Sequence, residues 1–222
     1  MSTTIPLLTD DTLILFDACR DGLENFRKHY PQGALFTSEL LAAAPWNDMH
    51  WFINRMGCSL STHLDYPLLC ERLNTPTFVV KRQAQNSPST VAGYVECMLG
   101  VSDNGEDKEF KGKTIDSLSP QAWETIAKDI VRFYRAMEKH DPLFMERLYE
   151  GHQDAWSRIG HNFWLQRNGH GTGFWDRDPV DVPDDLQGPL KEVCSMAGEC
   201  DAYVGDDGLI YLTEGSTKWR TL

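Results

Sequence analysis

The sequence predicts an α+β protein: a helical N-terminal module followed by a mixed part, with a small antiparallel sheet packed by helices and a C-terminal β-hairpin. Three observations predict it. The first third repeats apolar residues at helical spacing, and the middle turns to runs rich in β-branched and aromatic residues. The end carries "DAYVGDDGLIYL", two apolar runs around a Gly-Asp-Asp-Gly turn. The organisation read from this is a module over residues 1–72 and an α+β domain over 73–222, with any hinge near Glu71 to Pro76. A chain of 222 residues with 41% hydrophobic content has enough apolar surface for a real core.

Taken in order, Leu15, Phe16, Cys19, Leu23 and Phe26 recur at three and four residues, and Pro31 followed by Gly33 supplies a stop. Further short helices are expected over 38–44 and 48–56. Thr77 to Val80 and Val91 to Met98 read as the two strands of a hairpin, with the polar run Gln83 to Thr90 between them. Ser102 to Lys113 reads as an exposed loop. Ser119 and Pro120 form an N-cap and first-turn pair, and Trp123, Ile126, Ile130, Phe133 and Met137 then follow at helical spacing. A helix over Leu143 to Tyr149 is expected to run on toward Trp156 and Ile159. Pro189 opens the last helix, whose buried face is Leu190, Val193, Cys194 and Ala197, with Gly198 as its cap.

Composition excludes some classes of function. The formal net charge of −12 repels phosphate backbones, so direct nucleic-acid binding and attachment to anionic membranes are disfavoured, and a partner with a basic surface is favoured. Acid concentrates between Asp176 and Asp207, where ten carboxylates, Asp181, Asp184 and Asp185 among them, face only Arg177 and Lys191. Such a run is commonly a solvated face; the functional reading makes it a docking surface. The N-terminus has neither a basic signal-peptide region nor a span of membrane length, and the six cysteines are scattered singly, which together predict a cytoplasmic protein with buried thiols.

The segment with most chemistry is His161 to Arg177, "HNFWLQRNGHGTGFWDR". Its alternating Gly169, Gly171 and Gly173 fit a tight turn, and their spacing is not that of a dinucleotide fingerprint. Two readings remain open. His161, Arg167, His170 and Asp176 could converge as a base, an anion clamp and an orienting carboxylate, which is the constellation of a small hydrolase or transferase. Alternatively Arg167 pairs with Asp176 across the turn, His170 bonds to backbone, and Phe163, Trp164, Phe174 and Trp175 pack. Trp164 and Trp175 are also candidates for ligand or partner contact.

Metal and cofactor readings are weaker. Cys194 and Cys200 have the wrong spacing for a zinc knuckle, and prolines interrupt the aspartates from Asp176 to Asp185, so neither a metal nor a cofactor is expected. Cys58, Ser59, His63 and Asp65 lie close in sequence without a nucleophile elbow around them. Trp46, Trp51 and Phe52 beside Arg55 could stack a base but serve equally as core.

Tyr94-Val95-Glu96-Cys97, Leu118-Ser119-Pro120, the long His161–Arg177 motif and "YVGDDGLIY" together resemble a family of uncharacterised proteins encoded in tailed bacteriophages and related mobile elements. The resemblance covers roughly Tyr94 to Leu212. This chain has Gln166 where that family usually has Thr, and Thr172 where it usually has Ala. The N-terminal stretch "ACRDGLENFRKHYPQG" followed by Trp51 resembles a short helical module found at the start of otherwise unrelated bacterial and phage proteins. The resemblance implies a setting, in which accessory proteins bind host machinery and counter host defence, and it implies no reaction. An acidic mimic of nucleic acid is the third expectation, alongside the contact protein and the enzyme.

Overall fold

A computed structural model describes residues 5–37, 39–40, 51–52, 70, 73–74, 77–85, 89–102, 108–171, 173–174 and 182–220. The expected helices over 38–44 and 48–56 lie largely outside the described residues, as do the 71–76 hinge (except 73 and 74) and the Cys58 to Asp65 cluster. The fold is α+β, with helices accompanied by two antiparallel two-stranded sheets.

The chain begins with strand β1 (Leu7–Leu8), helix α1 (Asp10–Leu15), helix α2 (Arg20–His29) and strand β2 (Ala34–Leu35), which returns to pair with β1. The single helix suggested by the 15–26 spacing is therefore two. Asp17 takes a positive φ of 56° between them, which turns the chain while the same apolar period continues on the second helix. Thr9 caps α1 by accepting from the Thr12 amide. Asp10 and Asp11 in its first turn meet Arg135 at 3.2 and 2.6 Å, and Arg27 joins Asp10 to Glu138.

Helices α3 (Phe78–Ala84) and α4 (Thr90–Ser102) stand where a hairpin was expected. For α4 the physical reason is burial. From Thr90 to Met98 all residues except Glu96 are buried, and an apolar run without a polar face has the same pattern in a buried helix as in a buried strand. Ser89 starts α4 by accepting from the Ala92 amide at 3.0 Å, and Asp17 accepts from the Thr90 amide at the same helix end.

A 3-10 turn (Ile115–Ser117) leads to the longest of the described helices, α5 (Pro120–His140), which begins as its sequence predicts, with the Ser119 hydroxyl accepting from Ala122 and Pro120 in the first turn. The expected continuous helix beyond Leu143 is broken into α6 (Phe144–Arg147) and α7 (Ala155–Arg167) by a turn in which Tyr149 and Gly151 both have positive φ. Helix α8 (Asp184–Ala197) starts five residues before Pro189, which lies inside it; the first-turn acids Asp184 and Asp185 favour the earlier start because they face the positive end of the helix dipole. Strands β3 (Ala202–Val204) and β4 (Ile210–Leu212) form the expected hairpin, and helix α9 (Thr217–Arg220) closes the described chain.

Among the described elements the closest packing is between α4 and α7. A Cβ on Gly93 would sit 1.8 Å from the Ser157 carbonyl oxygen, and one on Gly160 would sit 1.9 Å from that of Thr90, so the two backbones touch where neither can carry a side chain. Around this crossing the rings form one cluster. Phe133 of α5 stacks on Phe163 at 4.4 Å and on Phe174 at 6.1 Å, and Tyr94 of α4 meets Trp164 edge-on at 5.0 Å. The core is continuous from α1 to α9.

Candidate functional site

The signature segment is not a loop throughout. Residues 161 to 167 complete helix α7, and the chain turns only after Arg167, through Gly169 and Gly171 at φ 66° and 70°. This sets the direction of each candidate side chain. His161 and Arg167 are six residues apart, which on a helix puts them on different faces. His161 is exposed, His170 beyond the turn is exposed, and Arg167 is buried. The structure does not bring the two imidazoles and the guanidinium into one open hollow. Asp176 and Trp175 lie outside the described residues.

The carboxylate partner of Arg167 is Asp129 of α5, and both side chains are almost wholly enclosed. Arg167 Nη1 donates to Asp129 Oδ2 and to Tyr94 Oη at 3.2 Å, Nε donates to the Gly198 carbonyl at 2.9 Å, and Nη2 donates to that of Ala197 at 3.3 Å. The guanidinium thus ties α7 to the C-terminal end of α8, where the Ala197 carbonyl also accepts from the Ser216 amide at 2.9 Å. Asp129 is equally well served: Tyr94 Oη donates to Oδ2 at 2.8 Å and Trp219 Nε1 to Oδ1 at 2.7 Å. One buried ion pair therefore joins α4, α5, α7, α8 and α9, and each guanidinium nitrogen and each carboxylate oxygen has a hydrogen-bond partner, as a buried charge pair requires.

The electrostatics follow from this enclosure. Burial works to lower the Arg167 pKa, but interaction with Tyr94 and Asp129 outweighs it, so the guanidinium is held charged above its ordinary value. Burial, with the Asp129 charge, raises the Tyr94 phenol well above its ordinary value, so it stays a proton donor. Burial pushes the Cys200 thiol up to about 12 although Arg167 pulls it down; its Sγ lies 3.0 Å from the Thr213 carbonyl. A protonated thiol, a protonated phenol and a neutralised Arg–Asp pair, all closed from solvent, form a structural lock and offer no nucleophile.

Three of these residues escaped the sequence reading. Asp129 lies on the apolar stripe of α5 between Ile126 and Ile130, and an acid on a buried face demands a cation, which is the signal that could have found the pair. Tyr94 lies in a run whose pattern is that of a strand, and Trp219 belongs to a four-residue helix with no period to betray it.

The remaining candidates are distributed over the surface and core. Trp164 is 3% exposed and packs on Tyr94, and Phe163 and Phe174 are buried with it, so these rings fill the interior. Asp184 and Asp185 are exposed at the start of α8. Arg147 holds Asp185 through both oxygens at 2.7 and 2.8 Å, and this bonding keeps the Asp185 carboxyl below its usual range. Asp181 lies outside the described residues. Glu192, Glu199, Asp201, Asp206 and Asp207 are also exposed, and Lys191 is the only basic residue from Asp184 to Leu212.

Among the described residues no three His, Cys, Asp or Glu side chains stand grouped as metal ligands, and no helix is long and apolar enough to cross a membrane. Compared with protein-family models, curated proteins and solved structures, the chain matches none.

Proposed function

We propose that this chain is a phage-encoded accessory protein of the host cytoplasm, which acts by contact with a host protein bearing a basic surface, with counter-defence as its setting, and not by turnover. The observation that carries the reading is the division of charge. Arg167 of the signature segment is spent inside the fold on Asp129, while Asp184 and Glu192 of α8 and Asp206 and Asp207 of the hairpin turn are exposed, with Lys191 the one basic residue from Asp184 to Leu212. A contact made this way gains on-rate and specificity from charge complementarity and weakens with salt.

The test is capture of host proteins on the immobilised chain, beside a variant carrying Asp184→Asn, Glu192→Gln and Glu199→Gln. These three leave the Arg147–Asp185 pair untouched. The reading expects a partner retained at low salt, lost at high salt and lost by the variant. Capture indifferent to the substitutions, or conversion of a small molecule by the purified chain that depends on His161 or His170, would overturn it.

A further inference from the structure

We infer that the outer face of the C-terminal hairpin is an arginine-binding platform, the place where a basic segment of a partner protein is held. This rests on the contact reading above and adds the residues and the side chain recognised.

Strand alternation turns Ala202, Val204, Ile210 and Leu212 one way and Tyr203 and Tyr211 the other. The first face is closed: Ile210 and Leu212 are buried, and Gln121 of α5 bonds both the carbonyl and the amide of Leu212, at 2.7 and 3.1 Å. On the second face the two tyrosine rings stack, with centroids 5.7 Å apart and planes 23° from parallel, and Tyr203 is 49% exposed. The platform is held in place from below and from the side. A Cβ on Gly205 would lie 2.7 Å from Tyr211 Cε2, so the ring rests directly on the glycine backbone. Tyr211 Oη donates to Asp207 at 2.9 Å, and Asp207 also accepts from the Leu209 amide at 3.0 Å.

A cross-strand aromatic pair stabilises a hairpin whatever else it does. The charge around this pair points further. Asp201 precedes β3, Asp206 and Asp207 fill the turn, and Glu199 lies upstream, all exposed; Lys113 donates to the Gly208 carbonyl at 2.6 Å and its charge acts on Asp207. Ring faces carry negative potential, and carboxylates at both ends of the stack add to it, so the complementary ligand is a cation with a flat face. A guanidinium meets that description, because it stacks on an aromatic ring and can still direct its N–H groups to a carboxylate; an ammonium gives only a point charge.

The experiment titrates the full chain at low salt with an arginine–glycine repeat peptide and with its lysine–glycine counterpart of equal length, following the tyrosine ring signals by NMR. The arginine peptide is expected to bind more tightly and to shift Tyr203 and Tyr211. Tyr203→Ala should weaken it by about two- to fivefold while Tyr203→Phe retains it, the range set by an exposed cation–π contact. Melting curves confirm that each variant is folded, and Asp206→Asn replaces Tyr203→Ala if the latter is not. Equal binding of the two peptides, or arginine binding unchanged in the folded variant, overturns the platform. Should binding instead fall only with Asp184→Asn and Glu192→Gln, the basic-partner reading stands without the hairpin. Absence of binding by either peptide at low salt removes both.

Discussion

Arg167 illustrates how a residue with catalytic potential becomes structural. Its guanidinium has one carboxylate, one phenol and two backbone carbonyls around it, and the carboxylate in turn is bonded by a phenol and an indole. Because a hydrogen bond to a buried charge is worth more than a neutral one, Trp219→Phe, which removes the N–H together with one ring of the buried indole, is expected to cost at least the roughly 1.5–3 kcal/mol of that bond in urea unfolding. The thiols give a second check at this scale. Cys19 is exposed, whereas Cys97, Cys194 and Cys200 are buried, with Cys97 and Cys200 pushed up to about 12 by burial. A thiol reagent at pH 8 should therefore modify Cys19 readily and leave the other three protected until the chain unfolds, as peptide mapping by mass spectrometry would report. Rapid labelling of Cys200 in the native protein would mean that the lock opens.

Among the elements, the α4–α7 crossing is the most constrained. Gly93→Ala and Gly160→Ala each place a methyl on backbone that cannot move aside, so each should destabilise by at least the roughly 1–3 kcal/mol of ordinary overpacking. Gly100 on the same helix α4 meets nothing within 4 Å, and Gly100→Ala should stabilise by about 0.5–1 kcal/mol through helix propensity alone. Thermal melts of the three variants separate close approach from propensity. Helices with one polar face were legible: α5, from its Ser119 cap through Met137, and the β3–β4 hairpin, from its Asp-Gly turn, are where the sequence puts them. Helix α4 was not, because total burial erases the period that distinguishes helix from strand. The sequence leaves the signature open between packing and chemistry; its glycine turn was legible, and the φ of Gly169 and Gly171 agrees. The partner of Arg167 was not, because Asp129 is 38 residues away and only the tertiary fold joins them.

For the molecule as a whole, the buried protons predict how stability changes with pH. The Cys97 and Cys200 thiols rise from 9.0 to about 12, and the Tyr94 and Tyr134 phenols also lie above their ordinary value of 10.0. The folded chain keeps these protons where the unfolded chain releases them. The stability they contribute is full below pH 9 and is lost as pH rises toward 12, so Tm should hold up to about pH 9 and then fall. The Arg167 guanidinium, paired with Asp129, joins five helices as a buried lock. A double-mutant cycle on Asp129 and Arg167, read by urea unfolding, tests it most directly. Asp129→Leu and Arg167→Met should each cost about 3–5 kcal/mol by stranding a buried charge, and the double variant, which buries no charge, should lose far less than their sum and remain folded. Single variants as stable as the parent, with additive effects, would contradict it.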